Sequence, residues 1–180
     1  GFITDLGFET YQKILAEAME ELGFETGISS RSSGDNFVSD CTIETDQLAL
    51  IPDSYIDMTA EKIRIYKELD SLTSEKDLIN MKNRLTDRFG KMPVELERLF
   101  DIVRIRQLGQ KLGFEKIIIK NGVMIAFFIT NPLSQYYRSD RFSKVLENVN
   151  LNPKLFEIKQ PDGRLRIMVR NVDGISKAYD

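Results

Sequence analysis

The sequence predicts an α+β fold in which a three-helix segment packs with antiparallel β hairpins, arranged as hairpin, helix, hairpin. Apolar residues recur three and four positions apart through residues 59–112, which is the period of an amphipathic helix. After Gly113 the chain becomes rich in β-branched residues, and Asn121-Gly122 and Pro161-Asp162-Gly163 supply two turns. Helices followed by antiparallel strands are typical of an α+β domain.

The N-terminal region predicts one further helix and a linker. Residues 1–24 carry an apolar stripe that ends at Gly23. Residues 25–36, ETGISSRSSGDN, are rich in Ser and Gly and lack such a stripe, so we expect a flexible connection. A domain of residues 37–180 follows, and loose alternation through 37–45 predicts its first strand. The stripe of the N-terminal helix consists of Tyr11, Ile14, Leu15, Ala18, Met19 and Leu22.

Caps and breakers divide the central region into three helices, preceded by an extended loop around Pro52. Thr59 and Ser74 are the predicted N-caps of the first and second helices, and Pro93 fits the first turn of the third. Gly90 ends the second helix and Gly113 the third. The predicted inward positions are Leu48, Leu50, Ile51 and Tyr55 in the loop, Ile63, Tyr66 and Leu69, then Leu78, Met81, Leu85 and Phe89, then Leu96, Leu99, Val103, Leu108 and Leu112.

Two β-rich pairs complete the domain. Residues 114–120 and 123–130 flank Asn121-Gly122, which suits a type I′ turn. Residues 155–160 and 164–170 flank the second turn. A short helix between the pairs is marked by Phe142, Val145, Leu146 and Val149.

Composition excludes several kinds of catalytic site. The 180 residues contain no histidine, which removes imidazole acid–base chemistry and His-ligated zinc. The single cysteine, Cys41, excludes an intramolecular disulfide and is expected to be a small buried side chain in a reducing compartment. We find neither a signal peptide nor a membrane span, and expect a cytoplasmic protein with no membrane partner.

No motif for phosphate, dinucleotide, metal or nucleophilic chemistry is present, so we predict no catalytic, cofactor or metal site. Most carboxylates lie on amphipathic helices as solvated side chains. Asp53, in the segment IPDSYI, is the one carboxylate whose tight context suggests burial, and an Asx-type turn accounts for it without catalysis.

Charge is distributed unevenly along the chain. Residues 1–100 hold 11 Lys and Arg against 20 Asp and Glu, a net −9, and residues 101–180 hold 14 against 8, a net +6. Within the basic part, Arg138, Arg141 and Lys144 lie among aromatic residues and are candidates for nucleic-acid binding. Alternatively, Tyr136 and Phe142 anchor a loop onto the sheet and the cations are solvated.

The second predicted helix has a polar strip opposite its apolar stripe. Asp77, Asn80, Arg84 and Asp87 recur at i, i+3, i+7 and i+10. This strip is either a solvated face with an Arg84–Asp87 pair or a docking face for another domain.

Several stretches together resemble the C-terminal region of the transcription-repair coupling factor (Mfd) family: GFETYQKILAEAMEEL, IPDSYI, IRIYKELDS, LTDRFGKMP and LGFEKIIIKNG. The densest part covers residues 51–122, and DRFG followed by a proline and a long helix is its most specific element. Residues 1–24 resemble the end of that family's motor. Residues after 122 match by their hairpin layout.

The resemblance implies a non-catalytic regulatory domain of an ATP-dependent double-stranded DNA translocase. That parent displaces stalled RNA polymerase and recruits UvrA in nucleotide excision repair. ATP and Mg²⁺ belong to the parent motor, and this chain is implied to need no cofactor. The domain is implied to act as an autoinhibitory lid over the UvrA-binding module of the same chain, docking through Arg84, Asp87 and Arg88, with Asn80 beside them. Arg84 stands where the family has a carboxylate. The alternative function is a nucleic-acid-binding accessory module that uses the basic second part.

Overall fold

A computed structural model describes residues 37–179. The predicted N-terminal helix and the linker over 25–36 lie outside these residues. The described chain forms two compact units: residues Leu48–Val103 make the first, and residues 37–47 with 104–179 make the second. An α+β fold is confirmed, with helices in both units and one five-stranded sheet.

The first unit is helical. Its helices are α1 (Thr59–Ser71), α2 (Glu75–Phe89) and the N-terminal part of α3 (Val94–Leu112). Ser74 caps α2 as predicted, because its hydroxyl oxygen accepts the Asp77 amide, and Gly90 ends α2 at a positive φ of 88°. The predicted cap Thr59 is wrong: Met58 occupies that position and makes no side-chain cap.

The core of the first unit contains most of the predicted apolar positions. Leu78, Met81 and Leu85 turn inward from α2, and Tyr66 is fully buried on α1. Its phenolic oxygen accepts the Ile51 amide at 2.9 Å, which fixes the loop around Pro52. The remaining buried members of this core are Ile51, Ile56, Ile65, Leu69, Met92, Leu96, Leu99, Phe100 and Val103.

Two predicted core positions in this region, and the suggested burial of Asp53, are wrong. Ile63 is 41% exposed, because α1 turns Lys62, Ile65 and Tyr66 inward in its place. Leu48 is exposed in the loop. Asp53 is also solvent-accessible, and its carboxylate pairs with Lys62, which is the buried member of the pair. Periodicity locates a stripe, and tertiary packing decides which edge of it is covered.

The second unit is built on a sheet with strand order β1-β2-β3-β5-β4. The strands are β1 (Thr42–Thr45), β2 (Phe114–Lys120), β3 (Val123–Phe128), β4 (Phe156–Lys159) and β5 (Arg166–Arg170). β1 pairs with β2 in parallel, and all other pairs are antiparallel. The first strand is therefore shorter than the predicted 37–45 and joins the sheet in parallel.

The second unit also contains helices, two of which pack on one face of this sheet, the C-terminal part of α3 and the helix after residue 139. The helices of this unit include α4 (Asp140–Leu151), the short α5 (Ile175–Tyr179) and the C-terminal part of α3. Two 3₁₀ turns lie at Gln135–Arg138 and Pro161–Gly163. Cys41 is buried as predicted, whereas Leu108 and Leu112 at the end of α3 stay about two-fifths exposed, contrary to prediction.

Two tight turns depend on left-handed backbone. Asn121 and Gly122 have φ of 53° and 72°, as the predicted type I′ turn requires. Gly113 has φ of 89°, and a Cβ placed there would lie 2.2 Å from Cε2 of Tyr136. Only glycine lets α3 end against that ring.

Candidate docking surface

The polar strip of α2 faces outward because the cap and the apolar stripe fix the rotation of the helix. The Ser74 hydroxyl also donates to the Asp77 carboxylate at 2.6 Å, closing the first turn. Leu78, Met81 and Leu85 then point to the core. All four strip residues, Asp77, Asn80, Arg84 and Asp87, are exposed.

Two arginines of α2 are held by carboxylates of α1. Arg84 pairs with Glu68, and Arg88 Nη1 lies 2.7 Å from Glu61 Oε1. Arg64 on α1 shares the same Glu61 at 2.6 Å. Arg84 therefore pairs with the neighbouring helix and not with Asp87, the partner that the solvated-face interpretation gave it.

The contacts at Glu61 favour its ionised form. The hydrogen bond from Arg64 holds the pKa of Glu61 below its ordinary value, and the charges of Arg64 and Arg88 act in the same direction. The same partnership raises the pKa of Arg64. The Glu61–Arg64 pair consequently stays charged across the neutral pH range.

Asp87 differs from Asp77 and Arg84 because its exposed carboxylate makes no hydrogen bond or ion pair with any residue between 37 and 179. The end of α2 that carries Asp87 is held in place by contacts of Phe89. The Phe89 ring packs against Tyr55 at a centroid distance of 5.8 Å, and the Arg88 guanidinium lies 4.7 Å from the centre of the Phe89 ring. A rigid helix end thus presents an unpaired carboxylate.

Sequence reasoning missed the contribution of α1 to this surface. Glu61 and Glu68 are seven residues apart, and they meet Arg88 and Arg84, which are four apart on the adjacent helix. Two acids seven residues apart lie on one face of a helix, so their spacing indicated an acidic face on α1. We name the set Glu61, Arg64, Glu68, Arg84, Asp87 and Arg88 the α1–α2 charged surface.

The predicted nucleic-acid patch has a different structure from the one that base stacking requires. Tyr136 is fully buried, and its hydroxyl donates to the Leu112 carbonyl at 2.5 Å. The Tyr137 hydroxyl donates to the Ile129 carbonyl, and its ring packs edge-on against Phe142. The Tyr136 ring packs against Phe142 at a tilt, with 5.3 Å between centroids. The aromatic side chains therefore anchor the loop onto the sheet, which was the alternative interpretation.

The three cations of that patch do not form one track. Arg138 and Lys144 are exposed, whereas Arg141 is half-buried with its guanidinium 5.7 Å from the centre of the Phe37 ring. Arg141 and Lys144 line a cavity of about 840 Å³ between α4 and the sheet. Its walls are mainly apolar, as at Met124 and Val169.

The part of the chain between 37 and 179 contains no group of three or more His, Cys, Asp or Glu arranged to hold a metal ion. Nor is any helix in that part long and apolar enough to cross a membrane.

Comparisons with known proteins place α1 and α2 inside a known domain family. The TRCF domain family matches residues 45–139, which include all of α1 and α2. The transcription-repair-coupling factor of Staphylococcus epidermidis is 34% identical over 172 residues, covering 95% of this chain and 13% of that protein. Those of Rickettsia typhi and Staphylococcus haemolyticus are 31% and 36% identical, covering 96% and 97% of this chain and 14% and 15% of theirs.

A solved structure gives the same fold. The crystal structure of the C-terminal domain of transcription-repair coupling factor superposes with a TM-score of 0.63 at 17% identity, covering 78% of this chain and 85% of that one. This chain spans only about one-seventh of the length of the curated relatives. The matched family covers more than half of the chain, from β1 to the loop before α4, and the chain therefore belongs to the TRCF domain family.

Proposed function

We propose that this chain is the non-catalytic C-terminal regulatory domain of a transcription-repair coupling factor. In this proposal it is an autoinhibitory lid over the UvrA-binding module of its own parent chain, in the cytoplasm. The parent would use ATP and Mg²⁺ in its motor, bind double-stranded DNA, displace RNA polymerase and recruit UvrA. The observation that carries the proposal is the unpaired Asp87 on the α1–α2 charged surface.

This surface has properties that suit a reversible protein contact. Arg84 and Arg88 are already positioned by Glu68 and Glu61, so little side-chain entropy remains to be lost when a partner docks. Asp87 offers a carboxylate for an arginine or lysine of the masked module. Charge pairing of this kind contributes register and specificity, and it can be released when the motor changes state.

The test is Asp87→Arg in the full-length parent, with UvrA affinity measured in the absence of DNA. A like-charge contact in the docked state should open the lid, and a coupling of about 1–3 kcal/mol corresponds to roughly 5- to 150-fold tighter UvrA binding. Asp87 is exposed, so the free energy of unfolding should change by no more than about 0.5 kcal/mol.

Asp57→Arg is the matched control, because Asp57 is also exposed in the first unit and the charge change is identical. It should leave UvrA affinity unchanged. Equal UvrA affinity for the Asp87→Arg and parent proteins, with equal melting curves, would remove Asp87 from the interface.

ATP turnover by the purified 180-residue chain would contradict its non-catalytic role.

A further inference from the structure

The sheet of the second unit has two faces of different chemistry. Residues paired across neighbouring strands place their side chains on the same face, and the pairing therefore assigns complete rows. One face consists of two rows that are apolar apart from Thr45, and α4 and the end of α3 pack over it. These rows are Ile43, Ile117, Ala126, Ile167 and Ile158, and Thr45, Ile119, Met124, Val169 and Phe156.

The opposite face is predominantly cationic, and we name it the basic face. Its middle row crosses all five strands, with a carboxylate at each end and three apolar residues between. The rows on either side supply five cations. In strand order the three rows are Thr42, Lys116, Phe127, Arg166 and Lys159; Glu44, Ile118, Ile125, Met168 and Glu157; and Lys120, Val123 and Arg170.

The centre of the basic face is an apolar ridge that keeps partial access to solvent. Ile118, Ile125 and Met168 lie on three neighbouring strands, and each remains partly exposed. Strands lie ~4.8 Å apart, so the ridge extends about 10 Å between its outer Cα positions. Residues i and i+7 of an α-helix are also about 10.5 Å apart.

The cations outnumber the carboxylates that they pair with. Glu44 lies 2.8 Å from Lys116 and 3.7 Å from Lys120, and their contacts lower its pKa. At the other edge Glu157 is shared by two further cations, at 3.0 Å and 3.7 Å. Each carboxylate thus neutralises one of its two cations, and the groups at Glu44 and at Glu157 each keep a net charge of about +1.

Arg166 adds a third positive charge. Its guanidinium makes no ion pair within residues 37–179, and its Nε atom is buried without a hydrogen-bond partner in that part of the chain. Arg166 pairs with Phe127 on β3 and with Lys159 on β4, in the row next to the one that contains the apolar ridge. A carboxylate on a docked partner would pair with this guanidinium, which has no ion pair with the residues between 37 and 179.

We propose that the basic face binds a protein partner through an amphipathic helix whose apolar stripe is flanked by carboxylates. The stripe would lie along Ile118, Ile125 and Met168, with its acids reaching the two cationic rows. This inference concerns the second unit and is independent of the lid contact proposed for the first.

The same face is poorly suited to single-stranded nucleic acid. Bases need accessible aromatic rings on which to stack, and the central residues here are aliphatic. Phe127 is the aromatic residue of these rows, and the Arg164 guanidinium already lies 4.6 Å from the centre of its ring. An aliphatic ridge between cations fits an acidic helix better.

The experiment uses the full 180-residue chain with methyl groups labelled for NMR. The probe is a synthetic helix of about 16 residues with leucines on one face and glutamates on both flanks. A second peptide replaces every glutamate with glutamine, and a thymidine oligonucleotide is the third probe. The acidic peptide should shift the methyl signals of Ile118, Ile125 and Met168.

Arg166→Gln should weaken binding of the acidic peptide about fivefold, the effect of losing one charged contact. Lys111→Gln, at an exposed cation of the same unit, should leave it unchanged. Equal affinity for the glutamine peptide, or methyl shifts confined to other residues, would overturn the proposal. Tighter binding of the oligonucleotide at these methyl groups would reassign the face to nucleic acid.

Discussion

Substituting Gly113 by alanine tests how closely the end of α3 packs on Tyr136. A Cβ at this position would lie 2.2 Å from Cε2 and 2.4 Å from Cζ of the Tyr136 ring, well inside contact distance. The ring is fully buried, and its hydroxyl is bound to the Leu112 carbonyl, so it has little freedom to withdraw.

The expected loss of stability has two contributions. A non-glycine residue at a φ of 89° costs about 1–2 kcal/mol, and forcing extra volume into a packed site costs about 1–3 kcal/mol more. Gly163→Ala is the matched control in the same unit, because its φ is 76° and nothing lies within 4 Å of the added Cβ. Gly163→Ala should therefore show only the cost of a non-glycine residue at positive φ.

The measurement is urea unfolding of both variants, followed by far-UV circular dichroism and by tyrosine fluorescence. Gly113→Ala should lower the free energy of unfolding by about 2–5 kcal/mol and Gly163→Ala by about 1–2 kcal/mol. Equal losses would refute the steric argument, since both variants lose the same backbone freedom in the unfolded chain.

Three further predictions concern other buried or paired groups. Tyr66→Phe should destabilise the chain by about 1–3 kcal/mol in thermal unfolding, because the buried Ile51 amide loses its acceptor; a change below the experimental error would contradict this. Burial raises the pKa of the Cys41 thiol to about 12, so a thiol reagent at neutral pH should label it slowly in the native chain and quickly in urea; equal rates would exclude burial. The hydrogen bond from Lys116 lowers the pKa of Glu44, so its contribution is present above the unfolded pKa and is lost as pH falls through the lower folded value. Glu44→Gln should accordingly reduce the acid sensitivity of the unfolding midpoint, and an unchanged pH profile would show that the pair contributes nothing.

Features that depend on a few neighbouring residues were predictable from the sequence. The Ser74 cap, the stop at Gly90 and the left-handed Asn121-Gly122 turn follow from local backbone chemistry. The inward positions Leu78, Met81 and Leu85 follow from helical period. Family membership was also predictable, because the motifs that carry it lie in continuous stretches of the chain.

Tertiary structure decided which distant groups meet. Arg84 pairs with Glu68 across two helices, and β1 joins β2 in parallel. The spacing of the acids on α1 indicates a charged face, but neither that spacing nor the strand pattern selects the partner. The sequence left open whether Tyr136 stacks on bases or anchors its loop, and the packing of its ring against Gly113 at the end of α3 decided for the anchor. Local propensities act over a few residues, whereas these contacts depend on how elements far apart in sequence bury their surfaces together.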